Sequence, residues 1–173
     1  MLTPGGPEGV TSPERKDAGQ TLEAFFLENF GRLVDALAPI STDAVDAVQD
    51  AFIEAHLHWA KVANLDNPYA WVRRVAIRRL QDRHRRQVTH GRLLTSVAAL
   101  RKDVESPDSR HLEIANAMNV LPMRQRMALA LFYLEDMSLR DISAATGISE
   151  GAIKSALHAG RLRLKEIMGV EEE

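Results

Sequence analysis

The sequence predicts an all-α chain of two small helical domains joined by a flexible linker, the second containing a helix-turn-helix. Three observations predict it. Aromatic residues make up only 5% of the 173 residues while Ala, Leu, Val and Arg recur, a composition that favours helices with slim interfaces. Apolar residues return at three- and four-residue spacing along most of the chain. Pro39, Pro68, the SPDS stretch at 106–109 and Gly147 break that pattern into short helical segments.

Residues 1–20, MLTPGGPEGVTSPERKDAGQ, form a polar Pro/Gly/Ser-rich leader. They lack a basic start followed by an apolar core, so they are expected to be disordered and not a secretory signal. A first helix is predicted from Thr21 to Ala38, with Leu22, Phe25, Phe26, Phe30, Leu33, Val34 and Leu37 on one stripe, ended by Pro39. Ser41 or Thr42 is expected to cap a second helix, with Asp43 and Asp46 near its N-terminal dipole. In that helix Val45, Val48, Phe52, Ile53 and Trp59 are expected to face inward, and Asp46, Gln49, Asp50 and Glu54 to share an outer face. ANLDNPYAW reads as a loop with turn chemistry at Asp66, Asn67 and Pro68. The third helix, YAWVRRVAIRRLQDRHRRQ, has Trp71, Val75, Ile77 and Leu80 as its expected buried side.

The first domain is thus placed at 21–87 and a linker with some helical content at 88–110. The second domain, 111–168, opens with the amphipathic HLEIANAMNVL. A helix follows with Pro122 at its first position, where the missing N–H costs nothing. SLRDISAATGISEGAIKSALHAG then reads as two helices about a turn. Ser138 and Asp141 resemble a capping box, Gly147 turns the chain, and Ser149 caps a helix running to about Met168. Residues 169–173 form an acidic, solvated tail.

The formal net charge of -2 conceals a division. Residues 1–68 hold 4 Lys/Arg against 11 Asp/Glu, while 69–102 hold 10 against 1. An acidic block is joined to a basic one, so the small total is no argument against a nucleic-acid partner. The absence of cysteine excludes a disulfide framework and thiolate metal sites, and agrees with a reducing interior. No apolar run approaches the roughly 20 residues a membrane helix needs, so membrane insertion is not expected and a cytoplasmic protein is. There is no phosphate-binding Gly loop, nucleophile motif or metal cluster, and neither catalysis nor a cofactor is implied.

In the helix pair, Ile142, Ile148 and Ile153 can close a small core, and Ala144 and Ala145 permit close approach. The outer face of the second helix offers Glu150, Lys154, Ser155 and His158, then Arg161 and Arg163, a mixture suited to base edges and phosphates. An ordinary helical hairpin has the same pattern, and these residues alone leave both readings open.

LPMRQRMALALFYLEDMSLRDISAATGISEGAIKSALHAGRLRL closely resembles the promoter-binding C-terminal region of extracytoplasmic-function sigma factors of bacterial RNA polymerase. DAVDAVQDAFIEA resembles that family's polymerase-binding helix, and NPYAWVRRVAIRRLQDRHRR its helix beside the promoter -10 element. The blocks stand in the family's order, and the resemblance covers about 140 residues. It implies that Asp46, Gln49, Asp50 and Glu54 meet core RNA polymerase. It implies that Arg73, Arg74, Arg78, Arg79, Arg83, Arg85 and Arg86 run beside promoter DNA phosphates. The segment holding Asn64, Asp66 and Asn67 would capture an unstacked -10 base. Ser149, Glu150, Lys154, Ser155, His158, Arg161 and Arg163 would serve the -35 element, and an anti-sigma protein would cover both domains.

The sequence departs from the family pattern at Phe132, Ala156 and Ala159, where basic residues are usual, and at Arg78, where Asn is common. These departures imply an unusual -35 preference or weak autonomous binding. Two other functions stay in view: a helix-turn-helix regulator acting without polymerase, and a degenerate sigma-like protein that binds partners but initiates poorly. Trp59 and Trp71 are expected in the core. His56 and His58, two apart on a helix, do not share a face and point to no zinc. Seven Arg against one Asp over 69–87 reads as too lopsided for self-pairing, which favours phosphate contact.

Overall fold

The computed structural model describes residues 20–91 and 109–169, so most of the leader, the linker residues 92–108 and the tail 170–173 lie outside the described residues. Among the described residues there are eight helices and no strand. The first half holds α1 (Leu22–Leu37), α2 (Ala44–Leu57), α3 (Trp59–Val62) and α4 (Pro68–Thr89). The second holds α5 (Ser109–Val120), α6 (Met123–Tyr133), α7 (Leu139–Thr146) and α8 (Glu150–Met168).

Local chemistry sets most of these ends. The Thr21, Asn67, Ser138 and Ser149 side chains each accept a hydrogen bond from a backbone N–H three residues on, satisfying a donor the helix leaves orphaned. Pro68 takes the first position of α4. Gly147 closes α7 with φ +72, a left-handed conformation that costs a side-chain-bearing residue about 1 kcal/mol or more.

α2 departs from expectation at both ends. It starts at Ala44, and Ser41 accepts from the Asp43 N–H instead of capping the helix. It breaks at His58, which separates the four-residue α3. Its phase is also shifted. Val45 and Ile53 are exposed, whereas Ala44, Ala47, Val48, Ala51, Phe52 and Ala55 are buried. The small side chains let α2 lie close along α4, which answers with Val72, Ala76, Ile77 and Leu80. Trp71 and Val75 are only half-buried on that helix. Phe26 stays partly exposed but packs on Phe30 in a tilted pair and meets Phe52 edge to face, while Trp59 packs on Phe25 at 5.2 Å between ring centroids. Pro122 precedes α6 by one residue instead of starting it.

In the second half α8 packs across α5, α6 and α7. Its crossing with α6 is close because Gly160 is buried against Leu129: a Cβ there would stand 2.9 Å from Leu129 Cδ1 and 3.3 Å from Cγ. A Gly160→Val substitution is therefore expected to destabilise the fold by about 1–3 kcal/mol in urea unfolding, overpacking outweighing any helix-propensity gain. The two halves also meet each other, α4 on α7 and α1 on α6, and the apolar core is continuous across that seam.

Candidate nucleic-acid interface

The acidic face of α2 and the basic face of α4 are largely one structure. Arg83 donates to Asp50 at 2.8 Å and lies 3.8 Å from Asp46, and Arg79 donates to Glu54 at 2.7 Å. Gln87 extends the ladder to Asp43 at 2.8 Å. The hydrogen bond to Asp50 raises the Arg83 pKa above its ordinary value despite partial burial. Among the described residues the Arg-rich helix pairs with itself only at Arg85–Asp82, as its lopsided charge implied, but Arg79 and Arg83 find acids on α2, 25 and 33 residues away in sequence and adjacent in space, so not all seven arginines are left for phosphate. Each of these half-exposed pairs contributes about 0.2–1 kcal/mol, so together they brace the helices without dominating stability. Gln49 is left exposed beside an apolar groove of about 440 Å³ lined by Phe26, Phe52, Ile53 and His56.

The seven arginines of α4 thus divide. Arg79 and Arg83 bind α2, and Arg73 donates to Glu135 of the second half at 2.8 Å. Arg74, Arg78 and Arg86 are exposed with no ion pair among the described residues, and Arg85 reaches only its own helix's Asp82, at 3.7 Å. At 100° per residue Arg74, Arg78 and Arg85 fall within about 40° of one another, making a cationic stripe along the helix. In the loop before α4 the Asn64 amide donates to the Ala60 carbonyl at 2.6 Å, and Asn67 Oδ1 accepts from the Ala70 N–H at 2.9 Å. Both Asn side chains shape the loop while remaining exposed, and Asp66 is exposed beside them.

On α8 the side chains of Glu150, Lys154, Ser155 and His158 are exposed. Ser149 and Ser155 spend hydroxyl bonds internally, on the Ala152 N–H and the Gly151 carbonyl. Arg161 leans over the Phe132 and Tyr133 rings at 5.9 and 5.7 Å, and Arg163 lies roughly 140° around the helix from His158. Neither is centred on the face of His158. Ala156 is buried, so an Arg missing there removes nothing from the outward surface.

The Sigma-70 region 2 family model matches residues 32–99, and the Sigma-70, region 4 model matches 111–164. The ECF RNA polymerase sigma factor SigF of Caulobacter vibrioides is 32% identical over 168 residues, covering 94% of this chain and 89% of that protein. This chain is an extracytoplasmic-function sigma factor. The RNA polymerase sigma-E factor of Streptomyces antibioticus is 31% identical over 147 residues, covering 78% of this chain and 76% of its own. The sigma factor RpoE of Bartonella quintana, solved in complex with the anti-sigma factor NepR, shares 27% identity and a TM-score of 0.65, covering 87% and 98% of the two chains. As an extracytoplasmic-function sigma factor, the protein directs RNA polymerase to specific promoters.

The sigma factor's seam between halves escaped sequence reasoning. Glu135, with a side chain 1% exposed, accepts from Tyr69 Oη and from Arg73, each at 2.8 Å. Burial, then the hydrogen bond and charge of Glu135, push the Tyr69 phenol pKa well above its ordinary value, keeping it a donor. Arg32 lies over the Tyr69 ring at 4.4 Å, and Gln81 donates to the Thr146 carbonyl at 2.9 Å. One signal was available: a carboxylate inside the apolar run LFYLEDM is costly to bury without a partner.

His84 sits at the same seam. Burial first, and then the charge of Arg126, lower its pKa below the ordinary 6.5. The unfolded chain therefore takes up this proton before the folded one does. Its contribution is neutral above pH 6.5 and becomes a loss of stability as pH falls from 6.5 through the lower folded value. Unfolding midpoints at about pH 7.5 and about pH 5.5 are expected to fall less in His84→Gln than in the unaltered protein. Among the described residues no group of three or more His, Cys, Asp or Glu could hold a metal, and no helix is long and apolar enough to cross a membrane.

Proposed function

We propose that the sigma factor divides its work by helix. α2 docks core polymerase through Gln49 and the adjoining apolar groove, with Asp46 at its margin. α4 follows promoter phosphates at the -10 element with Arg74, Arg78 and Arg85, and the Asn64–Asn67 loop presents Asp66 toward an unstacked base. α8 enters the major groove at the -35 element with Glu150, Lys154 and His158. The observation that carries this reading is the division of the arginines, which leaves one continuous stripe of α4 available for phosphate after the internal pairs are made. Duplex opening, not bond chemistry, is its contribution to initiation, and the cytoplasm is its place of work.

An anti-sigma partner is part of the proposal, supported by the likeness to the RpoE–NepR complex. A second apolar groove, lined by Pro39, Met118, Leu129, Leu134 and Met168 with Arg161 at its rim, suits an amphipathic helix bearing acidic residues.

The test is a fluorescence titration with core RNA polymerase. Gln49→Ala combined with Ile53→Ala spares the Asp50–Arg83 pair, so lost binding cannot be ascribed to the brace. An affinity loss of about 30-fold or more, as for a docking hot spot, is expected. Unchanged affinity would remove α2 from the polymerase interface.

A further inference from the structure

We propose that the trench bounded by α4 on one side and by α6 and α7 on the other is a binding site for a small phosphorylated aromatic ligand, a nucleoside diphosphate being the simplest. The site stands on its own geometry, and only its consequence for promoter binding rests on the assignment of α4 made above.

Two crevices, of about 310 and 370 Å³, run into one another along α4, because Gln81 and Arg85 line both. Each falls within the range of small-molecule sites, about 300–1,000 Å³. From Arg78 to Thr89 the trench follows roughly 16 Å of helix, long enough to keep a ring apart from its phosphates. The two ends differ in chemistry. Arg78, Asp82 and Arg85 line one, beside Thr146 and Gly147. Val88, Met123, Met127 and Ile148 give the other an apolar wall, with the exposed Arg124 at its rim.

The charge is one-sided. Asp82 is the one carboxylate lining the trench, and it stands 3.7 Å from Arg85 in a half-exposed pair of little energy. Arg78 and Arg124 have no ion pair among the described residues. Arg126, close enough to lower the His84 pKa, is half-buried, and its buried Nε has no hydrogen-bond partner among them. The negative end of α7 does not neutralise these cations, because the Thr146 carbonyl already accepts from Gln81 at 2.9 Å. Arg78, Arg85 and Arg124 against one acid therefore call for a ligand of two or more negative charges. The apolar end selects further. Methionine sulfurs suit the edge of a flat ring, and a neutral His84 offers that ring one donor and one acceptor. Bare phosphate would leave this end empty, and an alkyl chain would leave His84 without a polar partner.

The test titrates ADP and GDP, each with a methylanthraniloyl fluorophore on its ribose, into the full-length protein. Saturable binding of either is expected. The unlabelled nucleotide should displace the probe about tenfold or more better than pyrophosphate or adenosine, each of which fills one end only. Arg124→Ala should weaken binding about tenfold, as the loss of a charge-assisted hydrogen bond does. Val88→Trp changes a half-exposed position and keeps every charge, but it fills the apolar end, so it should weaken binding by about as much. Saturating nucleotide should also raise the unfolding midpoint of the unaltered protein. Since Arg78 and Arg85 cannot hold a nucleotide and a promoter phosphate together, the same nucleotide should lower formation of the promoter complex with core polymerase about tenfold. No binding, equal displacement by pyrophosphate, or affinity indifferent to Val88→Trp would reduce the trench to a patch of exposed cations and overturn the proposal. Binding with the expected variant effects but an unaltered promoter complex would leave the ligand site standing and remove Arg78 and Arg85 from the promoter phosphates.

Discussion

Replacing Arg74, Arg78 and Arg85 together by Ala is expected to weaken promoter binding by the holoenzyme between two and three orders of magnitude at about 0.1 M salt. Each phosphate contact contributes about 0.9 to the slope of log affinity against log salt concentration, so three flatten that slope by about 2.7. The measurement is a salt titration on a promoter fragment recovered by binding selection with the unaltered holoenzyme. Arg83 supplies the control. Its guanidinium is engaged by Asp50, so Arg83→Ala should cost up to about 1 kcal/mol of stability and leave the slope nearly unchanged. Equal slope changes from Arg83→Ala and from any single member of the stripe would mean that the α2 ladder opens on DNA.

The largest stability effect is expected at Ile142. It is fully buried, and it belongs to α7, an eight-residue helix too short to persist by its own hydrogen bonds. Ile142→Ala removes most of the apolar anchor holding α7 on α8 and leaves a cavity that backbone relaxation fills only in part. A loss of about 3 kcal/mol is expected in urea unfolding, within the range for large-to-small core changes. α7 also carries the seam with α4, so the variant should expose that seam before the first half unfolds. Amide exchange of the Gln81 region would speed up while α2 stayed protected.

Much of the architecture was legible because helix ends obey local chemistry. Thr21, Asn67, Pro68, Ser138, Gly147 and Ser149 all act where short-range rules put them or beside them. The inward side of α2 was misread because an alanine-rich face carries little apolar signal: Val45 and Ile53 stood out by size, yet Ala47 and Ala51 were the residues facing α4. The arginines were misread for a related reason. Pairing along one helix can be counted from sequence spacing, whereas the partners of Arg79, Arg83 and Arg73 sit 25, 33 and 62 residues away. Ala156 shows the converse case, a departure from family pattern that looked like a lost DNA contact and proved to be a buried position.

The alanine seam and guanidinium rungs between α2 and α4 also set a length. Two helices packed through small side chains run about 8–10 Å apart, and cross-bracing at Glu54, Asp50 and Asp43 fixes their rotation as well as their spacing. Whatever grips α2 therefore dictates, to within a fraction of a helix diameter, where α4 stands. On the proposed assignment of α2 to polymerase and α4 to promoter DNA, the first half would act as a ruler that carries the polymerase's position to the DNA through these rungs.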